Sequence, residues 1–231
     1  MAKRIWELDA FRGICILGMV AVHLVYDLGD LLAFSRSPVF LAVKQWGGTA
    51  FLLLSGICIT LGKRSVRRGL IVFACGMLCT AVTVSLVLLG LADKSLIIWF
   101  GVLHCLGICM LLWPVFRKCP VWLLVTAGTL LAAAGILLEQ FVQVEHPWLT
   151  PLGITQRGFA TSDFFPLLPN LGFFLLGAAA GRILYREKKT LFPAADTAGF
   201  PIRFLCACGR HSLMIYLLHQ PVLFAVLSAF L

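Results

Sequence analysis

The chain has 231 residues, 61% of them hydrophobic and 13% charged, with a mean hydropathy of +0.99. This composition excludes an ordinary soluble globular domain, and several apolar runs of about 18 to 22 residues are each long enough to cross a bilayer. The formal net charge of +9 sits in short loops between those runs, which points to orientation in a membrane and away from nucleic acid.

No strand-like alternation suggests a barrel, so backbone polar groups in the apolar runs must be satisfied within helices. The expected architecture is all-α, a polytopic transmembrane helical bundle of about seven helices forming a single domain over residues 1–231. The first helix is predicted from Ala10 to Gly29. Lys3 and Arg4 precede it, but Glu7, Asp9 and Arg12 interrupt the approach and no small-residue cleavage site follows, so it is not a removable signal peptide. The second helix is predicted over Lys44–Gly62, the third over Gly69–Leu89 and the fourth over Ile97–Phe116. The fifth follows over Val121–Phe141, the sixth over Leu167–Tyr185 and the seventh over Ser212–Phe230. The segments Val142–Pro166 and Arg186–Arg210 read as the long loops. The first is too rich in Pro, Gly and polar residues to be helical throughout.

The basic residues test this count. Three lie on the N-terminal flank (Lys3, Arg4, Arg12), four after the second helix, two after the fourth and six after the sixth. Only Arg36, Lys44, Lys94 and Arg157 fall on the opposite side. The asymmetry predicts a cytoplasmic N-terminus and an outer C-terminus. Gly177–Gly181, "GAAAG", is a small-residue pattern that lets another helix approach closely. It is a packing signal and carries no chemistry; a homo-oligomer is a separate option.

Nine cysteines do not form a disulfide pattern: six lie within apolar runs, where Cys acts as a small hydrophobe. Cys206, Cys208 and His211 are wrongly spaced for the common zinc sites, and no metal is expected.

Four ionisable groups stand out on the first helix. His23 lies about 13 residues in, roughly 20 Å along the axis, and Asp27 follows one turn later on the same face. An intramembrane His with an acid beside it reads as a general base or nucleophile, with Asp27 setting its tautomer. The bland alternative is a histidine hydrogen-bonded between helices. Asp9 and Arg12 are either an interfacial salt bridge or a guanidinium placed for an anionic ligand. His104 lies in the outer half of the fourth helix. His219 and Gln220 lie in the inner half of the seventh, before Pro221, where they could instead satisfy carbonyls freed by the proline.

The stretch "ELDAFRGICILGMVAVH" resembles the first helix of the heparan-alpha-glucosaminide N-acetyltransferase catalytic-domain family. "FLLLSGICITLG", "FGVLHCLGI", "DFFPLLPNLGFFLLGAAAGRILY" and "GRHSLMIYLLHQPVL" resemble its short bacterial members, in the same order. The spacing from Arg12 to His23 is also similar to that in the integral-membrane acyltransferases that O-acetylate surface polysaccharides. The resemblance implies transfer of an acyl group, acetyl above all, from cytoplasmic acyl-coenzyme A to a hydroxyl or amine of a sugar or glycan outside. It implies His23, Asp27 and His104 as catalytic residues. Arg12, Arg67, Arg68, Arg210, His219 and Gln220 would hold the cofactor, acetyl-CoA. Arg157, Asp163 and Asn170 would contact the acceptor, with Asn170 or His104 also available to stabilise an oxyanion. One departure matters: the lysosomal enzyme's active-site His precedes its second helix, and "AFSRSPVFLAVKQWGG" here contains none. That assignment is not carried over. A proton-coupled small-molecule transporter and a non-catalytic membrane scaffold are the alternatives. No internal repeat or paired broken helices favour the transporter.

Overall fold

A computed structural model of the chain describes residues 4–28, 37–141, 147–156, 158–195, 197 and 199–230. Among them are eight α-helices: α1 Trp6–Asp27, α2 Pro38–Leu61, α3 Ser65–Leu88, α4 Val102–Phe116, α5 Val121–Phe141, α6 Leu167–Leu184, α7 Phe200–Arg210 and α8 Ser212–Phe230. Short 3-10 turns cover Lys94–Leu96 and Pro147–Leu152. All seven predicted apolar helices form. Five of them, α1, α3, α5, α6 and α8, are long and apolar enough to cross a membrane. A sixth candidate span is α2, bent by 47° between Pro38–Lys44 and Trp46–Leu61. The chain is a multi-pass helical membrane protein. Large apolar side chains stand exposed along the helices, among them Leu70, Leu78, Val82 and Leu130, as surfaces meeting hydrocarbon require.

Two expectations need correction. The fourth helix does not begin at Ile97 but at Val102, because residues Ile97–Gly101 run extended and pair with a distant loop. The second concerns the segment Arg186–Arg210, expected as a loop, which contains the amphipathic helix α7. Pro201 stands in its first turn after Gly199, where a missing N–H costs nothing. Ile202, Leu205, Cys206 and Gly209 recur at helical spacing, and Cys206 and Gly209 are buried.

Contacts gather the chain into two compact units: Met1–Leu54 with Tyr185–Leu231, and Ser55–Leu184. In the first unit α7 lies antiparallel on α1. A Cβ at Gly13 would collide with the Leu205 carbonyl, and one at Gly209 with the Asp9 carbonyl. The two backbones touch because neither glycine has a side chain. The start of α1 is also tied to the inner loop. Glu7 Oε2 accepts from Thr190 Oγ1 at 2.7 Å, Glu7 Oε1 accepts from the Leu191 N–H at 2.8 Å, and the Trp6 and Phe192 rings pack at 6.3 Å.

The second unit is held by the same device on a larger scale. The buried face of α5 is Leu124, Gly128, Ala132 and Gly135. Gly172 of α6 sits against Gly128 and Ala132 so closely that a Cβ would meet their backbones. Gly69 and Gly76, two turns apart, are the buried residues of α3 and face α4. The predicted small-residue stretch acts in the same way: Gly181 lies on Ile57 and Thr60 at the end of α2. Without a hydrophobic force between helices in lipid, such backbone contact is the main source of association.

Candidate functional site

In the first unit, α1 and α8 bring His23, Asp27, His219 and Gln220 together. The His23 and His219 rings lie 4.9 Å apart, centroid to centroid, tilted by 59°. The Gln220 amide nitrogen donates to both Asp27 carboxylate oxygens, at 3.2 and 3.0 Å. The His219 Nδ1 is 2.6 Å from the Tyr216 carbonyl oxygen, and the Tyr216 ring lies 5.6 Å from the histidine. A carbonyl only accepts, so Nδ1 carries the proton there and a neutral His219 presents Nε2 as an acceptor. Sequence reasoning places His23 and Asp27 in the outer half of the membrane and His219 and Gln220 in the inner half, on the cofactor side. The geometry corrects that separation. Depth counted from assumed helix ends ignores tilt and the turn at His211 that precedes α8. Asp27 is expected from the sequence to orient His23; its described hydrogen bonds go to Gln220.

Arg12 forms the expected salt bridge. Its Nη1 lies 3.3 Å from Asp9 Oδ1, with Arg4 3.8 Å from the other Asp9 oxygen. The Arg12 side chain is only 23% exposed. Arg210 ends α7 and is exposed.

In the second unit, Arg67 and Arg68 line a basic hollow of about 450 Å³ together with Lys63, Arg64 and Ile71. Four cations on the first turns of α3 and the loop before it make a surface suited to phosphate. His104 is buried and plays a different part. Its Nδ1 accepts from the Gly101 N–H at 3.2 Å, and its Nε2 lies 3.3 Å from Thr80 Oγ1, which in turn donates to the Ile98 carbonyl at 2.7 Å. The network is complete only with the proton on Nε2, donated to Thr80. Phe73 and Phe100 flank the ring at 5.7 Å each. Both nitrogens are thus engaged in holding the turn before α4.

Asp163 completes that turn. Gly101, at the N-cap position, has no side chain to cap α4, and Asp163 Oδ2 accepts from the Val102 N–H at 3.1 Å in its place. A Cβ at Gly101 would collide with this carboxylate. Around it, the loop after the Pro147–Leu152 turn runs along Leu96–Phe100. Ser162 donates to the Leu96 carbonyl, Thr161 to the Ile97 carbonyl, and the Phe165 N–H to the Phe100 carbonyl. Asn170 is buried and donates to the Pro166 carbonyl at 2.8 Å. Arg157 lies outside the described residues. Three residues that sequence reasoning does not single out do structural work: Glu7, Thr80 and Arg182. Arg182 of α6 donates to the carbonyls of Arg117 and Cys119 and lies over the Trp113 ring at 5.3 Å. Cys206 and His211 each bond a backbone carbonyl, of Trp6 and Ala207.

The family model described as "Heparan-alpha-glucosaminide N-acetyltransferase, catalytic" matches residues 4–221, nearly the whole chain. The chain belongs to this family. Membership makes it a membrane transferase of the N-acetyltransferase type. Comparison with curated proteins and with solved structures gives no match. The matched region contains α1 through the first half of α8 and so includes the His23, Asp27, His219 and Gln220 cluster.

Proposed function

We propose that the chain is a membrane acyltransferase that takes an acyl group, acetyl in the simplest case, from acyl-coenzyme A on the cytoplasmic side of a bacterial cell membrane. It passes that group to a hydroxyl or amine of a sugar or glycan outside. The observation that carries the reading is the cluster itself. Two histidines, a carboxylate and an amide from helices nearly two hundred residues apart meet inside an apolar bundle, where polar groups are expensive and mark function by default.

His23 is the base in this reading. It takes the proton from the acceptor's O–H or N–H as oxygen or nitrogen bonds to the thioester carbonyl carbon. The carbon–sulfur bond breaks, and His23 returns its proton to the departing sulfur. His219 stands ring to ring with His23 and fixes the space in which it works. Asp27 favours the positive charge that His23 acquires, from one turn away on the same helix face. Of the cations proposed for the phosphates of coenzyme A, Lys63, Arg64, Arg67 and Arg68 share one basic hollow, and Arg12 is paired with Asp9. His104, Asp163 and Asn170 support the fold of the outer turn in this scheme and act on the chemistry only through it.

The test is release of free coenzyme A thiol by the purified protein in lipid, run with acetyl-CoA against a panel of amino sugars and glycan fragments. Acceptor-dependent thiol release is the expected result. No release with any acceptor, together with substrate flux across sealed vesicles, would favour a carrier instead.

A further inference from the structure

We infer that Gln220 is a ligand-binding residue whose side-chain oxygen accepts a hydrogen bond from an uncharged or cationic N–H or O–H donor of the substrate. The inference rests on the acyl-transfer reading and deepens it by naming an atom and the chemistry it selects.

The argument begins with Asp27. An ionised carboxylate can only accept, and both its oxygens lie within hydrogen-bond distance of the Gln220 nitrogen. The orientation of the amide is therefore set by chemistry, with its NH₂ toward Asp27 and its oxygen turned away. That oxygen is buried, and among the described residues it has no hydrogen-bond partner. Buried carbonyl oxygens are almost always paired, because the alternative forfeits their hydration. An orphan acceptor beside a pair of histidines is what a site looks like before its donor arrives.

The neighbouring carboxylate agrees. Asp27 meets Gln220 as an acceptor. The polar atoms here whose orientation is fixed are thus acceptors, the oxygens of Asp27 and Gln220. They complement a donor-rich group and oppose an anion. A primary amine or a hydroxyl fits, and so does the amide N–H of a pantetheine arm. Both sources offer the same chemistry, and the test separates them.

Binding is measured on the full-length protein in lipid nanodiscs, by calorimetry, with coenzyme A, pantetheine, glucosamine and N-acetylglucosamine as probes. Binding requires no turnover, so a chemically dead protein still reports. Gln220→Met keeps the length and removes the acceptor. One neutral hydrogen bond corresponds to a loss of about 3- to 10-fold in affinity. A loss confined to the sugars assigns the donor to the acceptor substrate; a loss confined to coenzyme A and pantetheine assigns it to the pantetheine arm. Equal affinities of wild type and Gln220→Met for every probe that binds overturn the inference and leave the acyl-transfer reading standing. Failure of every probe to bind wild type overturns that reading, and the inference falls with it. If Gln220→Met does not fold, Asp27→Asn replaces it. The introduced amide offers an NH₂ of its own, so the Gln220 amide can turn over, and the same probe is expected to weaken by about 2- to 3-fold. Unchanged affinity in that variant overturns the inference. A purely structural Gln220 would lower the melting temperature of the variants without changing the affinity of the folded protein.

Discussion

His23 of α1 and His219 of α8 face each other with ring centroids 4.9 Å apart, although 196 positions separate them in sequence. If His23 is the base, His23→Ala should lower acyl transfer by about 10²- to 10⁴-fold while acyl-coenzyme A binding survives. His219→Ala should lower it too, and the double variant should be little worse than the worse single one, since residues acting as a unit are not additive. Thiol-release kinetics on the four proteins decide this. Wild-type turnover in His23→Ala rejects the assignment.

The cations proposed to meet coenzyme A give a second expectation. Arg12→Lys keeps the charge and loses the planar fork that meets Asp9. If Arg12 serves only that salt bridge, Kd for acetyl-CoA should not move. If it also meets a phosphate, Kd should rise. Arg67→Gln with Arg68→Gln should weaken binding in a way that fades as salt is raised, because exposed charges are screened within about 8 Å at physiological ionic strength.

Asp163 should matter for stability more than for chemistry. Removing an N-cap side chain costs about 0.5–2 kcal/mol, so Asp163→Ala should lower the melting temperature. Gly101→Ala should be more harmful alone than in the Asp163→Ala background, where the carboxylate it strikes is gone. Thermal unfolding of the single and double variants tests this coupling. A loss of acceptor affinity in Asp163→Ala at unchanged melting temperature would instead return Asp163 to the acceptor site.

The backbone contacts between helices give a packing prediction. Gly13→Ala or Gly209→Ala inserts a methyl where α1 and α7 touch backbone to backbone. Overpacking of this kind costs about 1–3 kcal/mol, and separation of the two helices should expose α7 to limited proteolysis. Arg182→Lys should lower the melting temperature despite the retained charge, because one ammonium cannot serve two carbonyls and cover Trp113 at once.

The apolar helices were legible because a bilayer-length run of hydrophobic residues has few other readings. Helix α7 was missed for the opposite reason. It is 11 residues long, and its signal is periodic instead of uniform: Ile202, Leu205, Cys206 and Gly209 on one side, Arg203 and Arg210 among the rest, with Gly199 and Pro201 at the start. The odd polar residues of the site were visible as residues, but their grouping was not. His23 and His219 look alike in sequence to His104, a histidine in an apolar segment. Only tertiary contacts separate the facing pair from the one whose nitrogens hold a turn through Gly101 and Thr80. Likewise, nothing local tells Asp163 that Gly101 lacks a cap.

Helix α4 has 15 residues, which at 1.5 Å each measure about 22 Å, against a hydrocarbon layer of about 30 Å. The missing length falls to Leu96–Gly101 and the strip Thr161–Phe165, whose backbone groups are satisfied by each other and by Thr80 and Thr83. Non-helical backbone at that depth is tolerated only when shielded by protein or facing water. Here the shielding comes from protein, since Leu96–Gly101 and Thr161–Phe165 cover one another's polar backbone. An insertion or deletion within Thr161–Phe165 would therefore disturb the start of α4 as directly as a change in α4 itself.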